Sequence, residues 1–267
     1  PDTSVGAAIF FAFLAHYAHR HQRPDLLEFI RRYGVFLLVF SYVLGSITGP
    51  GIWYSTTVAS PRGISALIHS FVWMWATEWV FFVIEVIGVY MLVYLAHRLD
   101  ARTHLKVSVI FGLTSYTTML VIVGILSFMM WPGKADWYET GGVLNAFYGP
   151  NTFAQLGMRT AFMFTMTAVV GGIVAARFDD PAFKKDVAAK LAWLGMGSAI
   201  AGAAMFQWYL GTLPEQAAVV LQNRLPAWFP TAILSILAGT VAYFALTLLQ
   251  PRALVSSGAA VMTVALV

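Results

Sequence analysis

Apolar runs near the length of a bilayer crossing recur along almost the whole chain, and that recurrence limits it to one broad kind of fold. A helix needs about 20 predominantly apolar residues to cross the hydrocarbon core. Runs of that order fall at 3–18, 34–52, 64–96, 106–131, 152–176, 187–212, 227–249 and from 253 onward. They predict an all-α polytopic membrane protein of about eight transmembrane helices in one transmembrane domain, 1–267. Only 10% of residues are charged, against roughly 25% in soluble domains, so a soluble core is excluded. The third run is long enough to tilt or to project beyond the hydrocarbon. The chain opens at Pro1 directly into an apolar run and closes on a stretch of about 15 apolar residues, so both ends read as truncated.

The sixteen basic residues sort by alternate loops. One side takes Arg20, Arg23, Arg31, Arg32, Arg98, Arg102, Lys106, Arg177, Lys184, Lys185, Lys190 and Arg252; the other takes Arg62, Lys134 and Arg224, with Arg159 just inside a span. Twelve against four is a positive-inside bias, which places the first set in the cytoplasm and puts the Gly49-Pro50-Gly51 turn and the 132–151 and 213–226 loops outside. The net charge of +4 is therefore a topology signal, and a nucleic-acid partner is not expected. Trp53, Tyr54, Trp131, Trp137, Tyr138, Trp208, Tyr209 and Trp228 cluster at the outer loops as an interfacial belt. Gly195, Gly197, Ala201, Gly202 and Ala203 give the sixth run a small-residue face against which another helix can pack closely. With no cysteine, disulfides, thiolate metal sites, iron–sulfur clusters and thioether-linked haem are excluded.

Ionisable groups inside the runs carry the chemistry, because each costs at least about 2.5 kcal/mol at the bilayer centre unless it finds a partner or water. Glu78 and Glu85 are seven residues apart, nearly two helical turns, so both carboxyls fall on one helix face. Such a stacked pair suits a proton relay; the plainer alternative is hydrogen bonding to a neighbouring helix. Thr114, Thr117 and Thr118 offer hydroxyls on the next run. His69 is either an axial haem ligand or a hydrogen-bonded interior residue. Arg159 either snorkels outward or pairs with a buried acid or a haem propionate. His104, Arg98, Asp100 and Arg102 form a cytoplasmic turn suited to helix capping or to proton entry.

From about residue 6 to about residue 212 the spacing resembles subunit I of the cytochrome bd quinol oxidases. Glu85, Arg98, Asp100, His104 and the Ser127-Phe128-Met129-Met130-Trp131-Pro132 segment fall in step with that family's long third helix, basic turn and fourth-helix end. Asn151-Thr152-Phe153-Ala154-Gln155 leading to Arg159-Thr160 resembles its N-P-x-A-Q segment before a haem-bearing His-Thr. The resemblance implies antiparallel helical bundles, a second membrane subunit of similar fold, and further electron-transfer subunits, cytochromes among them. It also implies a multi-pass place in a bacterial-type cytoplasmic membrane. Glu85 and Thr118 would belong to a proton path, with Glu78 one residue out of step because Thr77 stands at the family position.

Arg159 replaces the family's low-spin haem ligand, and a guanidinium has no lone pair to give iron. The 213–226 loop lacks the Lys- and Glu-rich pattern of the family's quinol site. The expectation is an integral-membrane subunit of a respiratory electron-transfer complex, haem-poor or haem-free. An active haem-containing terminal oxidase subunit using His69, and an ion or small-solute transporter using the Glu pair, are the alternatives.

Overall fold

In the computed structural model the described residues are 2–134, 136, 137, 139 and 143–249. The expected span from 253 onward, Arg252 and the belt residue Tyr138 lie outside them. The described residues form helices: α1 (Asp2–Arg20), α2 (Pro24–Leu37), a π-helical segment (Leu38–Val43), α3 (Leu44–Ala59), α4 (Pro61–Ser70), α5 (Val72–Tyr94), α6 (Ala101–Met130), α7 (Val143–Phe147), α8 (Thr152–Ala175), α9 (Pro181–Gly211), α10 (Glu215–Asn223) and α11 (Phe229–Leu249). Among them six are long and apolar enough to cross a membrane: the continuous Pro24–Ala59 rod, α5, α6, α8, α9 and α11. Contacts group the chain into two compact units. The first takes Thr3–Ile125 and the loop ending at Phe147; the second takes Asp2, Leu126–Lys134 and Tyr148 onward.

In the first unit, α2 buries Leu26, Phe29, Ile30, Tyr33, Gly34 and Leu37, a stripe at i, i+3, i+4, i+7, i+8 and i+11 that marks one face of an α-helix. Gly34 lets this stripe approach α5: a Cβ there would stand 2.8 Å from Cγ2 of Val93. Gly88 on the opposite side of that contact brings α5 against α6, where a Cβ would sit 3.2 Å from Cβ of Phe111. Beyond Leu37 the helix widens, and the N–H of Leu44 bonds the carbonyl of Val39, five residues back. One extra residue in a turn rotates everything after it by about 100°. The buried stripe therefore continues at Tyr42, where α-helical spacing would have continued it at Ser41.

Two expectations are corrected here. The Gly49-Pro50-Gly51 sequence does not turn; α3 runs through Pro50 to Ala59. Pro50 removes one backbone donor, a loss that membrane-type helices tolerate. Ser46 donates to the carbonyl of Tyr42 at 2.6 Å, and Ser55 donates to that of Gly51 at 2.9 Å. The expected single span at 64–96 is broken at Phe71, whose backbone leaves helical geometry between α4 and α5. The Phe71 ring is buried and meets the ring of Phe147 at 5.2 Å, so side-chain burial fixes the break where no glycine or proline announces it. The remaining 23 residues of α5 measure about 34 Å, close to one bilayer crossing.

In the second unit α8, α9 and α11 pack side by side. Asp180 starts α9 by accepting from the N–H of Ala182 at 2.9 Å, with Pro181 pre-set for the first helical position. Replacing Asp180 by Ala is expected to cost about 1 kcal/mol. A lowered thermal unfolding midpoint, with Asp179→Ala unchanged, is the result that checks it. The small-residue face of α9 is used unevenly: the Phe244 ring of α11 lies over Gly195 and the Phe162 ring of α8 over Gly202, while Gly197 faces open space.

Candidate functional site

Three helical segments of the first unit converge on Glu85. It is 3% exposed at the middle of α5, where a lone carboxyl is costly in an apolar surrounding. Tyr42, delivered by the π-helical segment, donates its hydroxyl to Oε2 at 3.1 Å. Thr118 of α6 donates to Oε1 at 2.5 Å. Ser115, one turn before Thr118, lies beside both Glu85 and Tyr42 and is fully buried, yet among the described residues its hydroxyl completes no hydrogen bond.

The single Thr118 proton has two acceptors within reach, Oε1 of Glu85 and the carbonyl of Thr114 at 3.1 Å. When Glu85 is ionised, Thr118 and Tyr42 both donate to it. When Glu85 is protonated it donates to Thr118, which turns its own proton to the Thr114 carbonyl, while Tyr42 still donates to Oε2. Every polar atom of the trio is bonded in both states, so neither incurs the full penalty of an unmade buried hydrogen bond. A carboxyl with two hydrogen-bonded protonation states can take up and release a proton without rearranging its helices.

Glu78 is on the same helix, two turns or about 10 Å toward the N-terminal end. It is half-buried and close enough to Glu85 for their charges to interact, and among the described residues no hydrogen bond or ion pair holds it. Thr114 and Thr117 are turned to carbonyls of their own helix, so Thr118 is the member of that hydroxyl series that reaches Glu85.

His69 belongs to α4, not to the helix of Glu85, and is exposed; among the described residues it is not grouped with other ligating side chains. Its Nδ1 bonds the Ser65 carbonyl one turn back at 2.7 Å. That hydrogen bond leaves Nε2 as the nitrogen able to ligate. Among the described residues no group of three or more His, Asp and Glu could enclose a metal ion.

Arg159 of α8, in the second unit, reaches Asp2 at 3.1 Å and is two-thirds or more covered, so it pairs with an acid. Asn151, Gln155 and Arg159 stand at i, i+4 and i+8 on one face of α8. Asn151 donates to the Thr212 hydroxyl at 2.9 Å. Among the described residues Oδ1 of Asn151, Oε1 of Gln155 and Nε of Arg159 are buried with no hydrogen-bond partner, the kind of group that ordered water satisfies in folded proteins.

In the turn before α6, Asp100 caps that helix. Its carboxylate accepts from the N–H groups of Arg102 and Thr103, and the Thr103 side chain and backbone hold it below the usual carboxylate range. His104 is buried and meets His19 of α1, Nδ1 to Nε2 at 3.3 Å, a pairing that sequence spacing does not announce.

No family model and no curated protein matches this chain.

Proposed function

We propose that this chain is an integral-membrane subunit of a respiratory electron-transfer complex, a divergent relative of cytochrome bd oxidase subunit I, in which Glu85 carries protons. The observation that carries the reading is the Tyr42–Glu85–Thr118 trio. A carboxyl is kept in an apolar helix bundle, its two protonation states are both hydrogen-bonded, and its partners come from two other segments. The spacing resemblance, in which Glu85 and Thr118 fall at proton-path positions, supports the same role. In this reading the full protein has about eight spans, sits in a bacterial-type cytoplasmic membrane and pairs with a second subunit of similar fold. Partner subunits, cytochromes among them, hold the electron carriers.

The residues present do not fit the low-spin haem of that family. The position of its ligand is Arg159, whose guanidinium has no lone pair and is engaged with Asp2. The chain acts as scaffold and proton route. Pyridine haemochrome analysis of the purified full-length chain is expected to give fewer than two haems per chain. Two or more b- or d-type haems would overturn the haem-poor reading and favour an active terminal oxidase subunit.

A further inference from the structure

The first unit contains an apolar groove of about 640 Å³ between α1 and α6, walled by Ile9, Ala12, Phe13, Leu105, Val109 and Leu113. The two helices run antiparallel. Gly112 lies against the backbone of Ala8 and Ile9, and His19 meets His104 further along. His16 therefore stands at the same end of the groove as Leu105, with Tyr116 and Thr117 at the other end. From Leu105 to Thr117 the groove follows α6 for about 18 Å. That is close to the ~15 Å depth of one leaflet, half of a ~30 Å hydrocarbon core. Its walls face outward, Phe13 being 72% and Leu113 65% exposed.

Charge distinguishes its two ends. On α1 the wall positions Ile9, Phe13 and His16 continue, four residues on, at Arg20; on α6 the wall positions Leu113, Val109 and Leu105 continue, three residues back, at Arg102. Both arginines are exposed, and among the described residues neither forms an ion pair. Their neighbours do: Arg23 is bound to Asp25, and Arg31 and Arg32 to Glu28. Two uncompensated guanidiniums thus cap one end of a leaflet-length apolar groove, a shape and charge that match one long acyl chain below one phosphate.

We propose that the α1–α6 groove is a binding site for a single anionic phospholipid, one of its acyl chains laid between the helices and its phosphate held by Arg20 and Arg102. His16 adds a ring donor at headgroup depth. The site is separate from the Glu85 trio and does not depend on the proton role assigned there.

The test titrates the full-length protein, in mild detergent, with phosphatidylglycerol and phosphatidylcholine of identical acyl chains, and counts bound lipid by native mass spectrometry. Wild type is expected to retain one phosphatidylglycerol in preference to phosphatidylcholine. The double variant Arg20→Gln/Arg102→Gln should lose that preference roughly thirtyfold, at about 1 kcal/mol for each interfacial cation. Ala12→Trp, which fills the groove, should lower occupancy by both lipids; Val109→Trp is the second groove-filling variant should the first not fold. Lys184→Gln/Lys185→Gln, on the second unit, should change nothing.

Several results would overturn the proposal. They are equal binding of the two lipids by wild type, a preference that survives the double arginine variant, and an equal loss in the lysine variant. Glycerophosphoglycerol competing as well as the intact lipid would show a free-anion site instead. A photo-crosslinker in place of Leu113 that captures a protein rather than a lipid would assign the groove to a partner helix.

Discussion

In the proposed proton-carrying role, replacing Glu85 by Gln is expected to slow proton-coupled turnover about a hundredfold, the lower range of what a positioned proton-transfer group contributes. Gln has almost the same volume and can still bond the Tyr42 and Thr118 hydroxyls, so folding and assembly should survive. What is lost is the atom that accepts and returns a proton. The partners should show graded effects. Thr118→Val removes the donor to Oε1, and Tyr42→Phe the donor to Oε2. Each raises the cost of the ionised state by one hydrogen bond to a charged group, which corresponds to about tenfold or more. Glu78→Gln tests the second acid, and its half-buried, unbonded position predicts a smaller effect than that of Glu85→Gln. Turnover in membranes at matched protein abundance decides the matter. Unchanged rates in Glu85→Gln would leave the trio as a helix-packing device, and the proton role would be withdrawn.

A large stability effect from a single methyl group is expected at Gly195. A Cβ there would stand 2.2 Å from the Phe244 ring, far inside contact distance, and Phe244 is itself 1% exposed, so the ring has nowhere to move. Gly195→Ala is expected to cost about 1–3 kcal/mol, the usual range for overpacking a filled interior. Gly197→Ala, two residues on and facing open space, should be neutral or stabilise by up to about 1 kcal/mol. Thermal unfolding in detergent measures both. The double variant Gly195→Ala/Phe244→Leu should recover part of the loss, because the smaller side chain returns the space that the methyl takes. A double-mutant cycle with no coupling would show that the ring and the glycine do not press on each other.

The small-residue face of α9 shows how far a one-dimensional pattern reaches. Composition announces that some helix approaches it closely. It does not announce that Gly195 receives an aromatic ring while Gly197 receives none, because that depends on the rotation of α11 about its own axis. Glu85 gives the same lesson from the other side. Its isolation in an apolar run and the in-step position of Thr118 single both residues out, whereas Tyr42 carries no signal. Under α-helical spacing Ser41 would occupy its place.

The sequence by itself determined that the chain is helical, that its helices are long and apolar, and roughly where they lie. The expected spans 152–176, 187–212 and 227–249 fall on α8, α9 and α11 to within a few residues at most boundaries. These are local properties, set by hydrophobic length and by caps such as Asp180-Pro181. Tertiary structure alone decided the extra residue in the π turn, the break at Phe71 and the meeting of His19 with His104. Each depends on a contact between residues far apart in the chain, or on exposure along a helix face. A bilayer-spanning composition keeps nearly every position apolar, and so leaves little periodicity from which the inward face can be read.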